Sequence, residues 1–63
     1  LKQVAISLHN KAIVLGQLGK ESELFSLCDL IIDKFSNIND EIIINIVSTA
    51  EVIKDKDRHQ NSW

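Results

Sequence analysis

Apolar residues recur along this chain at intervals of three and four positions, which is the spacing of one face of an α-helix. Proline is absent and glycine occurs only at Gly16 and Gly19, so few residues interrupt helices. The pattern predicts an all-α fold. Gly19 is expected to end the first helix, because a residue without a Cβ fits the left-handed position just past a helix end. The apolar stripe of this first helix comprises Val4, Ala5, Leu8, Ala12, Leu15 and Leu18.

A second helix is predicted to begin near Glu21, only two residues after Gly19, so the two helices should form an antiparallel hairpin. The carboxylates of Glu21 and Glu23 favour the partial positive charge of a helix start. The apolar stripe of the second helix comprises Leu24, Leu27, Cys28, Ile31 and Phe35. Phe25, Leu30 and Ile32 widen this apolar face, which indicates that the helix needs cover on two sides.

Residues 36–40 form a polar turn in which Asn39 or Asp40 is predicted to cap a third helix. The third stripe comprises Ile43, Ile46, Val47, Ala50 and Ile53. The β-branched run from Ile42 to Ile44 leaves a short strand as the alternative. Residues 55–63 are polar and are predicted to be a frayed helix end or a linker. Trp63 is expected to lie in a disordered terminus, with docking on a surface groove as the alternative.

Length and charge narrow the functional classes. A chain of 63 residues makes at most one domain, and its start at Leu1 rather than Met favours a piece of a longer polypeptide. With a net charge of −2, the chain lacks the excess of positive charge that favours binding to nucleic acid or to an anionic membrane. The single Cys28 cannot form an internal disulfide, so a reducing, cytoplasmic setting is expected. No apolar run approaches the ~20 residues that cross a bilayer, which predicts a soluble chain.

The sequence contains no recognisable catalytic or metal-binding set. Cys28 lies on an apolar stripe and is predicted to be a buried thiol with a raised pKa. His9 and His59 are far apart and show no Cys/His spacing suited to zinc. Asp29 and Asp33 lie one turn apart, as carboxylates on a solvated helix face ordinarily do. We therefore expect no enzyme activity, no metal and no cofactor.

The hairpin resembles a tetratricopeptide repeat (TPR), a helix–turn–helix unit of 34 residues, and in particular its bacterial versions. The residues that carry the resemblance are Asn10, Lys11, Ala12, Leu15, Gly16, Gln17, Leu18, Gly19, Lys20, Glu23, Leu24, Asp29, Ile32 and Phe35. In the family, a small residue such as Ala12 lets the two helices approach closely. Leu24 and Ile31 stand where small residues are usual, and Ser36 stands where a proline commonly closes the unit. At these three positions the helices are expected to pack more loosely than in the family, or with a displaced contact.

The resemblance implies a fragment of an α-solenoid. Residues 1–36 would form one TPR-like unit, residues 37–54 a third helix that starts a following, degenerate repeat, and residues 55–63 a polar tail or linker. In such repeats the first helix lines a concave groove that holds peptides. The matching positions here are Ile6, His9, Asn10, Ile13 and Gln17. Asn10 stands where some family members bind a ligand carboxylate, but a structural role, in which it hydrogen-bonds the backbone of an adjacent helix, is favoured for it.

These observations predict an interaction scaffold that binds a peptide or protein through the concave face of its first helix, next to neighbouring repeats of a longer chain. The alternative is a self-contained three-helix module that buries its surplus apolar surface by homodimerising. DNA recognition by a helix–turn–helix would need a basic recognition helix. The second helix instead carries Glu21, Glu23, Asp29 and Asp33 against Lys20 and Lys34.

Overall fold

The computed structural model describes the backbone of residues 2–61 and the side chains of residues 2–56. It contains the helices α1 (Lys2–Gln17), α2 (Glu21–Phe35) and α3 (Glu41–Asn61), and no strand occurs within that part of the chain. The all-α prediction is confirmed, and the alternative of a strand at Ile42–Ile44 is wrong because this run lies in α3. Trp63 lies outside the described residues.

The turn between α1 and α2 is closed by backbone hydrogen bonds around Gly19. Gly19 has a φ of 73°, in the left-handed region predicted for it. Its N–H donates to the Gly16 carbonyl, and the Lys20 N–H donates to the Leu15 carbonyl at 2.9 Å. This pair of bonds is the Schellman motif, which satisfies carbonyls at the helix end. The chain therefore reverses within three residues and starts α2 at Glu21.

Asp40 caps α3, which decides between the two predicted capping residues. Its Oδ1 accepts hydrogen bonds from the N–H groups of Ile42 at 2.9 Å and Ile43 at 3.2 Å. Its Oδ2 lies 3.6 Å from the Lys2 Nζ at the start of α1. The hydrogen bond from Ile43, the nearby Lys2 ammonium and the hydrogen bond from Ile42 together lower the pKa of Asp40. One side chain thus caps α3 and joins it to α1.

The core is formed by buried apolar faces of all three helices, with α2 in contact with both of its neighbours. The predicted α2 stripe is confirmed, because all five of its members are buried. Phe25 and Ile32 are half-buried against the core, whereas Leu30 stays exposed. The complete set of buried residues is Ala5, Ala12, Leu15, Leu24, Leu27, Cys28, Ile31, Phe35, Ile43, Ile46, Val47 and Ala50.

The predicted stripe of α1 is wrong at its two ends. Val4 and Leu18 are 52% and 63% exposed. Val4 lies on the flank of α1 that no other helix covers, and Leu18 lies in the turn that follows α1, whereas Ile6, on the opposite flank, is half-buried and packs against the core. The direction from which α3 approaches decides which flank is covered, and the spacing of apolar residues does not contain that information.

Two ion pairs show how the helices run. Lys2 at the start of α1 meets Asp40 beyond the end of α2. Lys54, late in α3, meets Asp29 in the middle of α2 at 3.3 Å. Consecutive helices therefore run in opposite directions, and α1 and α3 lie side by side in the same general direction.

The third helix continues beyond residue 54, where the apolar stripe stops. Residues 55–63 were predicted to be a frayed helix end or a linker, and α3 extends to Asn61, so the described part of this segment is helical. Residues 55–61 contain neither glycine nor proline, and most of their side chains tolerate a helix interior at small cost. α3 thus extends beyond the apolar stripe that packs against the core.

Candidate functional site

An open, largely apolar groove lies between α1 and α3, with the start of α2 as its floor. We call it the α1–α3 groove. Its volume is ≈ 440 Å³. It is lined by Ala12, Ile13, Gly16, Gly19, Glu21, Leu24, Phe25, Ile53 and Lys56. An open, largely apolar groove with a few charged groups is the general form of a peptide-binding site.

Small residues on α1 leave room in this groove. Ala12 and Gly16 lie one helical turn apart on its wall. A Cβ added to Gly16 would lie 3.8 Å from the Cδ2 of Leu24, an ordinary contact distance, so packing does not require a glycine there. The missing side chain instead leaves part of the groove wall as bare backbone.

The Schellman turn at Gly19 positions the floor of the groove. Because the chain reverses within three residues, Leu24 and Phe25 of α2 lie beneath the last turns of α1. Gly16 and Leu24 are accordingly close neighbours across the hairpin. The turn at Gly19 that ends α1 therefore also determines where the floor of the groove lies.

Charged groups border the apolar surface. Glu21 and Lys56 line the groove from α2 and α3. The Lys54 Nζ lies 5.9 Å from the centroid of the Phe25 ring, within the range of a cation–π contact. It also donates a hydrogen bond to Asp29 Oδ2 at 3.3 Å. Lys54 therefore lies over the Phe25 ring and joins α3 to α2 through Asp29.

The five residues predicted to bind a ligand do not all reach this groove. Ile13 lines it and is about half exposed. Ile6 and His9 are half-buried, and Ile6 packs against the core. Asn10 and Gln17 are exposed and are not among the lining residues. The structure thus brings one of the five into the groove, and a ligand role for all five stays a prediction.

Several lining residues were not predicted, because they come from α2 and α3. Ile53 was recognised only as a member of the third stripe, and Phe25 only as a residue needing extra cover. Both signals were present in the sequence. They were not connected to a site because the neighbour of each residue depends on the crossing of α1 and α3.

Cys28 is fully buried, as predicted. Burial raises the pKa of its thiol, the nearby Asp29 carboxylate raises it further, and the Lys54 ammonium acts in the opposite direction. A thiol in this environment carries little thiolate at neutral pH, and the thiolate is the reactive form. Cys28 therefore contributes to the core as a small apolar residue.

The described residues contain no group of three or more His, Cys, Asp or Glu side chains arranged to hold a metal ion. Within the same residues, every helix falls short of the length and apolar character that crossing a membrane requires.

We compared the chain with protein-family models, with curated proteins and with solved structures, and none of the three comparisons gave a match. The resemblance to tetratricopeptide repeats therefore stays a prediction from the sequence.

Proposed function

We propose that this chain is a TPR-like interaction scaffold that binds a peptide segment of a partner protein in the α1–α3 groove. One observation carries the proposal. α1 and α3 lie side by side, contact each other, and line a single apolar groove. The first helices of two consecutive repeats are expected to do the same in an α-solenoid.

The hairpin geometry supports the same proposal. Ala12 is buried at the family's small position, and Gly19 adopts the left-handed conformation at the family's turn glycine. Leu24 and Ile31 are also buried, at positions where the family uses small residues. The larger side chains are thus accommodated in the core that α2 forms with α1 and α3.

The chemistry of the groove limits the ligand class. Ile13, Phe25 and Ile53 offer apolar surface to a ligand side chain. Glu21 and Lys56 offer one carboxylate and one ammonium, so neither sign of charge dominates. We expect an extended peptide with an apolar anchor residue, because apolar anchors contribute most of the affinity in such recognition.

Selection from a displayed library of random peptides tests the proposal. Peptides enriched on the wild-type chain should bind Ile13→Asp at least about tenfold more weakly, which corresponds to about 1.4 kcal/mol. Val52→Asp is the matched control, because Val52 is a similarly exposed β-branched residue of α3 that does not line the groove.

Two outcomes would contradict the proposal. The first is that no peptide is enriched over a library without the chain as bait. The second is that enriched peptides bind Ile13→Asp and Val52→Asp equally well, since the contact would then lie elsewhere. Circular dichroism of both variants must show the wild-type helical content.

A further inference from the structure

Gly16 leaves an open position in the wall of the α1–α3 groove. It lies within α1, and of the two glycines only Gly19 has a positive φ, so an L-residue fits the backbone at Gly16 without strain. Apart from the neighbouring backbone of α1, a Cβ built at Gly16 would meet the Leu24 Cδ2 alone, at 3.8 Å. Neither the backbone nor the packing therefore requires a glycine at this position.

The open position faces the groove rather than the seam between α1 and α2. A methyl group buried between two helices touches several side chains, because protein interiors are close-packed. The Cβ at Gly16 would touch only Leu24, and both residues line the groove. Most of such a methyl group would therefore project into the groove beside Leu24. Without it, the wall is bare backbone that a flat group can approach closely.

Phe25 supplies an aromatic ring to the same groove. It follows Leu24 in α2, is half-buried, and lines the groove. Aromatic rings attract one another in offset-stacked or edge-to-face arrangements, beyond the gain from burying their area. A ligand ring that enters beside Gly16 gains this contact, whereas a branched aliphatic side chain does not.

Glu21 provides a hydrogen-bond acceptor at the border of the groove. It lines the groove from the start of α2 and is exposed. Within the described part of the chain its carboxylate makes no side-chain hydrogen bond and no ion pair, and so it is not paired with Lys56, the other charged lining residue. An apolar groove with a free carboxylate at its border matches an aromatic side chain that carries a donor at its tip. Tyrosine and tryptophan have this form.

We propose that the groove selects peptides whose anchor residue is tyrosine or tryptophan, and that Gly16 sets the size of the anchor that fits. This inference rests on the proposed function and adds the class of anchor. The anchor ring lies against the bare backbone of Gly16 and contacts Phe25, and its O–H or N–H donates to the Glu21 carboxylate. The groove volume of ≈ 440 Å³ lies in the range of ordinary ligand pockets.

Parallel selections from one random peptide library test the inference, with the wild-type chain and Gly16→Ala as the two baits. Peptides enriched on the wild type should share a tyrosine or tryptophan and bind Gly16→Ala at least about tenfold more weakly, since one methylene in a pocket has an effect of this size. Gly16→Ala should nevertheless melt a few degrees higher, because alanine favours a helix more than glycine does. Weaker binding with higher stability distinguishes a ligand contact from damage to the fold.

Val14→Ala is the matched control. Val14 lies in α1, is 50% exposed and does not line the groove. Alanine raises the helix propensity there as well, so this variant should also be at least as stable as the wild type, but it should bind the enriched peptides equally well.

A mutant cycle tests the role of Glu21. Replacing the peptide anchor with phenylalanine removes the donor and should weaken binding to the wild type about threefold or more. The same replacement should cost less with Glu21→Ala, whose helical content is checked by circular dichroism. An equal loss in both proteins would overturn the assignment of Glu21 as the acceptor.

An aliphatic anchor in the enriched peptides would overturn the inference and leave the proposed function in place, provided that Ile13→Asp still weakens their binding. Undiminished binding to Gly16→Ala would show that Gly16 does not limit the anchor. A lower melting temperature of Gly16→Ala would show that the position beside Leu24 is not open. If no peptide is enriched on the wild-type chain, the proposed function itself fails, and this inference fails with it.

Discussion

Replacing Ile31 with alanine should be among the most destabilising truncations in this protein. Ile31 lies in the middle of α2, between α1 and α3, and is only 1% exposed. The change removes its γ and δ carbons, and the lost burial costs about 0.8 kcal/mol per methylene. The remaining cavity adds to that cost, so we expect a loss of roughly 2 to 5 kcal/mol in the free energy of unfolding.

Leu30→Ala is the matched control. Leu30 is adjacent in sequence and isomeric in side chain, but it is 40% exposed. Part of its side chain is already in contact with water and no enclosed cavity is left, so the expected loss is about 1.5 kcal/mol or less. Both substitutions introduce alanine, whose helix propensity favours both variants and does not account for the predicted difference.

Urea unfolding followed by circular dichroism measures both losses. It should be performed at concentrations low enough that the midpoint does not depend on concentration, because any association of folded chains would add to the measured stability. A domain of this size has a stability of roughly 3 to 9 kcal/mol, so Ile31→Ala should remove a large share of it. Equal losses for the two variants would refute the placement of α2 between α1 and α3.

Three other substitutions test separate features. Ala12→Leu should overpack the contact between α1 and α2 and destabilise by roughly 1 to 3 kcal/mol, so a wild-type melting curve would contradict the hairpin packing. Cys28→Ser should cost on the order of 1 to 3 kcal/mol because it buries a poorly paired hydroxyl. The folded chain should also protect the Cys28 thiol from alkylation, and labelling as fast as in urea would show that the site is open. Folding lowers the pKa of Asp40, so its contribution is complete above its unfolded pKa of about 3.9 and is lost as the pH falls through its lower folded value. Asp40→Ala should therefore melt at a lower temperature than wild type at neutral pH, with the difference shrinking on acidification, and a constant difference would contradict this assignment.

The sequence by itself determined the three helices and the two turns that separate them. α2 shows this most clearly, since its apolar stripe from Leu24 to Phe35 follows helical spacing and forms one continuous buried face. Gly19 and Asp40 are also local signals, because a left-handed turn and a helix cap depend on residues within a few positions. Such features follow from backbone geometry and hydrogen bonding, and they need no information about distant parts of the chain.

Only the tertiary structure decided which flanks of these helices are covered. Val4 and Ile6 are both apolar and lie on either side of the α1 stripe, yet α3 packs on the side of Ile6 and leaves Val4 exposed. The same packing brings Ile13 and Ile53 together in one groove, although they are far apart in sequence. Helical periodicity fixes the direction in which each side chain points around the axis of its own helix. The crossing of two helices depends on how their surfaces fit together, and that fit exists only once all three are assembled.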